Sequence, residues 1–219
     1  MVTPTLALLH TSPVHVPVFE ALRDQDHPGL ALRHLVHADL LARARAEGPD
    51  AVADGIQELL ERAVAEGASA VLCTCSTIGA VAEDRAAAVG VPVVRVDRPM
   101  AAAAVAAGRA VAVVATLEST LGPTRALVEE EAARAGRPVD VTTVLVDGAW
   151  ERFEAGDADG HVRLIAEAVD ALDGVDSVVL AQASMADAAD RVTLPVPVVA
   201  SPRLGLSAAV ERCGVGVKS

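Results

Sequence analysis

The 219-residue chain carries a formal charge of −12, is 52% hydrophobic, and has only Phe19, Trp150 and Phe153 as aromatic side chains. That charge opposes a nucleic-acid partner, and so few aromatic faces exclude a base-stacking surface. Cys73, Cys75 and Cys213 are too few and too odd for a disulfide framework, and no basic stretch precedes the short apolar N-terminus, so a cytoplasmic, soluble protein is expected.

Taken in order, residues 5–10 form an apolar run that reads as a first strand, followed by a helix over 14–23 and a turn at Asp26-His27-Pro28-Gly29. A second strand is expected over 30–37 and a short helix over 39–47, stopped by Gly48-Pro49. Asp50 is placed to cap the next helix, where Val52, Ile56, Leu59, Ala63 and Val64 make an apolar stripe. A buried strand over 68–72 then runs into VLCTCSTIG, and a helix is expected over 78–89, with Ser76 or Thr77 as its cap. A strand over 91–96 and a helix through residue 107 follow. The apolar stretch 101–115 is broken by Gly108 and Arg109, so it reads as a helix and a strand, not as a membrane span. The order then restarts: strand 110–115, helix 119–135, strand 139–146, an irregular segment 150–160, helix 161–172, strand 177–181, a short helix 184–191, strand 196–200 and a last helix 204–212. Strands alternating with helices throughout imply parallel sheets.

The restart is an internal repeat. Setting Cys75 against Gln182 aligns VLCTCSTIG with VVLAQASMA, VPVVRVDRP with VPVVASPRL, and Leu9-His10-Thr11 with Val114-Ala115-Thr116. Two halves of about a hundred residues each are therefore expected to form two α/β lobes related by a pseudo-twofold. The lobe boundaries fall at 1–98 with 206–219, and 99–205.

The chemistry gathers at the Cys75 turn. A turn at the carboxyl end of a parallel strand is where such sheets bind ligands. The start of the following helix offers free N–H groups and the positive end of a dipole, which hold a carboxylate and favour a thiolate beside them. The alternative is a buried structural cysteine in a turn of small residues.

TCSTIG at 74–79, ATLESTLGPT at 115–124 and LAQASM at 180–185 resemble the aspartate/glutamate racemase superfamily, over essentially the whole chain. Relatives include hydantoin racemase, maleate isomerase and arylmalonate decarboxylase. The resemblance implies two pseudo-symmetric lobes, each a short, mainly parallel sheet flanked by helices, with the active site between them and no cofactor. In racemases of this type each half supplies one cysteine; one thiolate removes the α-proton and the opposite thiol reprotonates the other face. The first family cysteine falls on Cys75 and the second on Gln182, which is neither acid nor base near neutral pH. A two-thiol racemisation is therefore not expected. Arylmalonate decarboxylase works with one cysteine, but in the second half, opposite to this chain.

The remaining site residues are read with their alternatives. Cys73 belongs to core packing. The Cys-x-Cys spacing beside His10 is not that of a zinc site, and no metal is expected. His10 and Thr11 end the first strand on the rim of Cys75; His10 is either an acid–base group or carboxylate donor, or a histidine satisfied by backbone. His15, His27, His34, His37 and His161 take surface or structural roles. Thr116, Ser119 and Thr120 either bind a carboxylate or carbonyl oxygen or serve as a plain helix cap. Ser76 and Thr77 belong to the first turn, and Ser76 departs from the Asn that glutamate racemases carry there, which disfavours an α-amino acid substrate. Gln182, Ala183 and Ser184 form the matching second turn, where Gln182 bonds a substrate carboxylate or amide or fills the gap. Arg98 and Arg203 read as ion-pair partners, and no phosphate-binding loop is present.

The expected function is a cofactor-independent isomerase or racemase-like enzyme on a small carboxylate, with Cys75 transferring the proton through an enediolate-like state. A decarboxylase or other carbon–carbon lyase and a non-catalytic two-lobed binding protein are the alternatives. Relatives are often dimers, so a homodimer is an open expectation.

Overall fold

The computed structural model describes residues 4–214. The chain divides into two compact units, one built from the residues up to Val96 with those from Pro202 onward, the other from Asp97–Ser201.

The first unit runs β1 (Thr5–His10), α1 (His15–Asp26), β2 (Ala31–Val36), α2 (Ala38–Glu47), a 3-10 turn (Pro49–Val52), α3 (Ala53–Ala65), β3 (Ala68–Cys73), α4 (Ser76–Asp84), α5 (Ala86–Val89) and β4 (Val93–Arg95). Its four strands are parallel in the order β2-β1-β3-β4. The second unit repeats the pattern with α6 (Arg98–Ala107), β5 (Ala110–Ala115), α7 (Glu118–Ala135), β6 (Asp140–Leu145), α8 (Ala149–Glu154), α9 (Ala158–Asp170), β7 (Ser177–Leu180), a 3-10 helix (Ala183–Asp190) and β8 (Val198–Ala200). Its sheet, also parallel, has the order β6-β5-β7-β8. Each sheet thus has the order 2-1-3-4 of its own strands, as the internal repeat requires. The last helix, α10 (Ser201–Arg212), returns to the first unit, where its Leu206, Ala209 and Val210 join the core.

Both faces of each central strand are buried, which is why these strands read as unbroken apolar runs. In β1, Ala7 and Leu9 face a cluster with Ile56, Leu60 and Ile78, while Leu6 and Leu8 face Phe19, Leu72 and Leu206 on the other side. In the second unit Ala112, Val114, Val178 and Leu180 pack with Ile165, Val169 and Met185. Burying one such Val or Leu side chain stabilises the fold by ~1.5–3 kcal/mol.

Several local expectations are corrected. Asp50 lies inside the 3-10 turn and does not cap α3, whose preceding residue is Val52. The helix expected over 78–89 begins at Ser76 and is interrupted after Asp84, giving α4 and a separate α5. Neither Ser76 nor Thr77 is the cap: Cys75 holds that position, with extended backbone and no side-chain capping bond. Leu117, not Ser119, precedes α7 in the same way. The segment 150–160, expected to be irregular, contains α8, held by Trp150 against Phe153 and Phe153 against His161 of α9, each pair with ring centroids 5.2 Å apart. Residues 183–190 wind as a 3-10 helix.

Candidate active site

In both units the residue two beyond the second central strand stops the strand and starts a helical turn. In the first unit this is Cys75, with φ −110° and ψ 116°. In the second it is Gln182, with φ −127° and ψ 143°. The bond Thr74 N–H to Leu9 O (3.0 Å) has its counterpart in Ala181 N–H to Val114 O (2.9 Å). The two turns therefore share a strand-end hydrogen bond and an extended backbone at Cys75 and Gln182, and differ in the side chain there and in the helix that follows, α in the first unit and 3-10 in the second.

Cys75 is half-buried against the first unit's core, whereas Cys73 is fully buried and donates its Sγ–H to the Cys75 carbonyl at 3.7 Å. Ser76 and Thr77 open α4, the first half-buried and the second exposed. Thr11 is buried beside them at the end of β1. The first rim thus offers one accessible thiol, two hydroxyls and the free N–H groups of a nine-residue helix.

His10 does not present a free ring to this rim. It is fully buried, with Nδ1 2.8 Å from Thr74 Oγ1 and Nε2 2.8 Å from His34 Nδ1. Burial, with His34 and His15 nearby, pushes its imidazole down to about 3. It is neutral at neutral pH and both nitrogens are engaged within the protein, so His10 offers this rim neither the acid–base group nor the carboxylate donor expected of it. His34, which composition and spacing left without a place, is its partner and in turn meets Glu20 Oε1 at 2.9 Å.

The second rim is organised by Gln182. Its Oε1 accepts from Thr116 N–H (2.7 Å), Thr116 Oγ1–H (3.0 Å) and Leu117 N–H (3.3 Å). Backbone N–H groups only donate, so the atom facing them is the oxygen and the orientation of the amide is fixed. The Nε2 amino group carries the amide's two donors. Thr116 is thereby occupied within the protein. Ser119 is exposed and Thr120 half-buried in the first turn of α7. Ala183 and Ser184 are half-buried, and the Ser184 carbonyl is held by buried His161, whose Nε2 lies 3.1 Å from it while Nδ1 lies 2.8 Å from Ala149 O. His161 is thus a brace behind the second turn, which its spacing in the sequence does not reveal.

Arg98 pairs with Glu130 and Glu131, and Arg203 with Asp26, each within its own unit. No group of three or more metal-ligating side chains is assembled among the described residues. A surface groove of about 320 Å3 lies at the far end of α7, around Arg137, away from the strand ends. No helix among the described residues is long and apolar enough to cross a membrane.

A duplicated parallel 2-1-3-4 sheet with small polar turns at the strand ends defines a two-unit α/β protein. The chain belongs to the Asp/Glu/hydantoin racemase family, whose model matches residues 14–209. It resembles allantoin racemase from Klebsiella pneumoniae at 18% identity and a TM-score of 0.64, over 98% of this chain and 89% of that one. It also resembles unliganded arylmalonate decarboxylase (23% identity, TM-score 0.63, 99% and 95% covered) and glutamate racemase from Aquifex pyrophilus (14%, 0.62, 94% and 82%). At these identities the likeness is one of fold. No curated protein matches the chain.

Proposed function

We propose that the protein is a cofactor-independent enzyme that exchanges a proton at the carbon next to a carboxylate, with Cys75 as the reacting group. The observation that carries this is the pairing of Cys75 and Gln182 at equivalent backbone positions: one rim has a half-exposed thiol at a helix start, the other a donor amide. In the forward step the Cys75 thiolate takes the α-proton, and the electron pair moves into the carboxylate to give an enediolate-like state. Ser76, Thr77 and the first N–H groups of α4 stabilise its oxygens. The Nε2 of Gln182, with Ser119 and Thr120 beside Thr116, gives the second rim donors and no acid. Ala183 and Ser184 hold that turn.

A second reading is favoured by the same asymmetry. If carbon dioxide leaves the substrate, the electron pair of the broken bond forms the same carbanion, and the Cys75 thiol then donates one proton to one face. One thiol suffices for that reaction, whereas inversion needs a second group.

The test is incubation with small chiral carboxylates in deuterium oxide. Uptake at the α-carbon of one enantiomer with little inversion is expected, and Cys75→Ala abolishes it. A product labelled on a single face after loss of carbon dioxide selects the lyase. Gln182→Cys introduces inversion. Bound carboxylate with neither exchange nor loss of carbon dioxide identifies a binding protein and refutes the proposal.

A further inference from the structure

Four side chains of the first unit form one continuous hydrogen-bonded row. It runs from Glu20 Oε1 to His34 Nε2 (2.9 Å), from His34 Nδ1 to His10 Nε2 (2.8 Å), and from His10 Nδ1 to Thr74 Oγ1 (2.8 Å). Its outer end touches solvent, since the Glu20 and His34 side chains are 36% and 15% exposed, while His10 is fully buried. At the inner end the Thr74 hydroxyl has a second partner, Leu9 O at 3.2 Å.

We propose that Glu20, His34, His10 and Thr74 are a two-state relay, in which a proton held at the Glu20–His34 end sets the tautomer of His10 and the direction of the Thr74 hydroxyl, one residue before Cys75. The donors and acceptors allow two complete arrangements. With His34 neutral, the Glu20 carboxylate requires N–H at His34 Nε2, because a lone pair there would face a negative oxygen. His34 Nδ1 is then an acceptor, so His10 must donate from Nε2. His10 Nδ1 in turn accepts, and the Thr74 hydroxyl points at it. With one proton added to His34, Nδ1 becomes a donor and His10 Nε2 must accept. His10 then carries its proton on Nδ1 and donates to Thr74 Oγ1, and the Thr74 hydroxyl turns to Leu9 O. Neither arrangement leaves a buried donor or acceptor unpaired, so nothing in the row opposes the exchange.

His10 changes tautomer without changing charge, in keeping with an imidazole that stays neutral far below neutral pH. On α1 the row is flanked by His15, with its ring centroid 6.4 Å from that of His10, and by Arg23, which is ion-paired with Glu20 and Asp24. Phe19 of the same helix closes the apolar side at 5.7 Å. On the β2 side, His37 donates its backbone N–H to the His10 carbonyl at 2.8 Å, which pins the backbone and leaves the ring to the relay. The relay lies wholly within the first unit and stands whether or not Cys75 is the reacting group.

Nitrogen-15 imidazole spectra of the whole protein test it without substrate. At neutral pH His10 and His34 are both expected as the Nε2–H form. As the pH is lowered until His34 carries protons on both nitrogens, His10 is expected to move to the Nδ1–H form in step and to remain neutral. In Glu20→Gln the amide can turn either its oxygen or its nitrogen to His34, so His10 is expected to show both tautomers at neutral pH. In the unaltered protein, a His10 that is Nδ1–H while His34 is neutral overturns the proposal at neutral pH, where unfolding plays no part. So does a His10 tautomer that ignores protonation of His34.

Discussion

Replacing His10 by Gln gives a stability change whose pH dependence follows from its burial. The imidazole falls from the ordinary 6.5 to about 3 in the folded protein. Between those values the unfolded chain binds a proton that the native state does not. The native state therefore loses stability as pH falls, and the contribution is complete above 6.5. The ring is fully buried, so solvent does not screen it. The slope approaches about 1.4 kcal/mol per pH unit, which gives about 2 kcal/mol lost between pH 7 and 5 from this one residue. His10→Gln costs packing at every pH but removes that slope. Urea unfolding followed by far-UV circular dichroism at pH 7, 6 and 5 reads it. The gap between wild type and variant should shrink by about 2 kcal/mol from pH 7 to 5, roughly 1 M in midpoint. A gap constant within about 0.5 kcal/mol would mean that His10 titrates in the folded state as it does in water, and the burial argument would fail.

Other outcomes follow from the same geometry. Iodoacetamide labelling read by mass spectrometry should modify Cys75 first, then Cys213, whose thiol burial pushes up to about 11, and fully buried Cys73 last. Gln182→Glu keeps an oxygen for Thr116 and Leu117 but turns the donor edge into an acceptor. A carboxylate ligand identified by the exchange assay should then bind about 10- to 100-fold more weakly, measured by calorimetry, with the melting temperature little changed. Gly205→Ala should lower the melting point through a loss of about 2 kcal/mol or more, because a Cβ there would lie 2.6 Å from Val96 O and 2.6 Å from Val96 Cγ2.

The central strands were legible because both of their faces are buried, so β1, β3, β5 and β7 appear as plain apolar runs. The repeat is legible too, since aligning the two halves of the sequence sets Cys75 against Gln182, and the two occupy matching backbone positions. The caps were not. Capping preference favours Ser and Thr, but the position of each cap is set by where the strand ends, and that puts Cys75 and Leu117 there. Helix α8 was hidden because six residues rich in Glu and Arg, bracketed by Gly148 and Gly156, carry no apolar period; it is held by ring contacts to its neighbours. The partners of His10 were out of reach for a different reason. His34 is 24 residues away and stands beside Leu8 only through the parallel register of β1 and β2. Register is a long-range property that no local pattern contains. The orientation of Gln182 is likewise a product of the β5–β7 pairing.

The return of α10 to the first unit has a consequence for how the protein is made. Asp97–Ser201 is one uninterrupted stretch, with its sheet and cover helices complete before α10 is synthesised. The first unit is discontinuous: Leu206, Ala209 and Val210 fill the side of its sheet that holds Leu6, Leu8 and Phe19. Until those residues leave the ribosome, that face of the N-terminal sheet is covered only in part, by α1 through Phe19 and Leu22. The part of the chain that is translated first is therefore the part that finishes folding last, and α10 is the segment on which chaperone dependence during synthesis should turn.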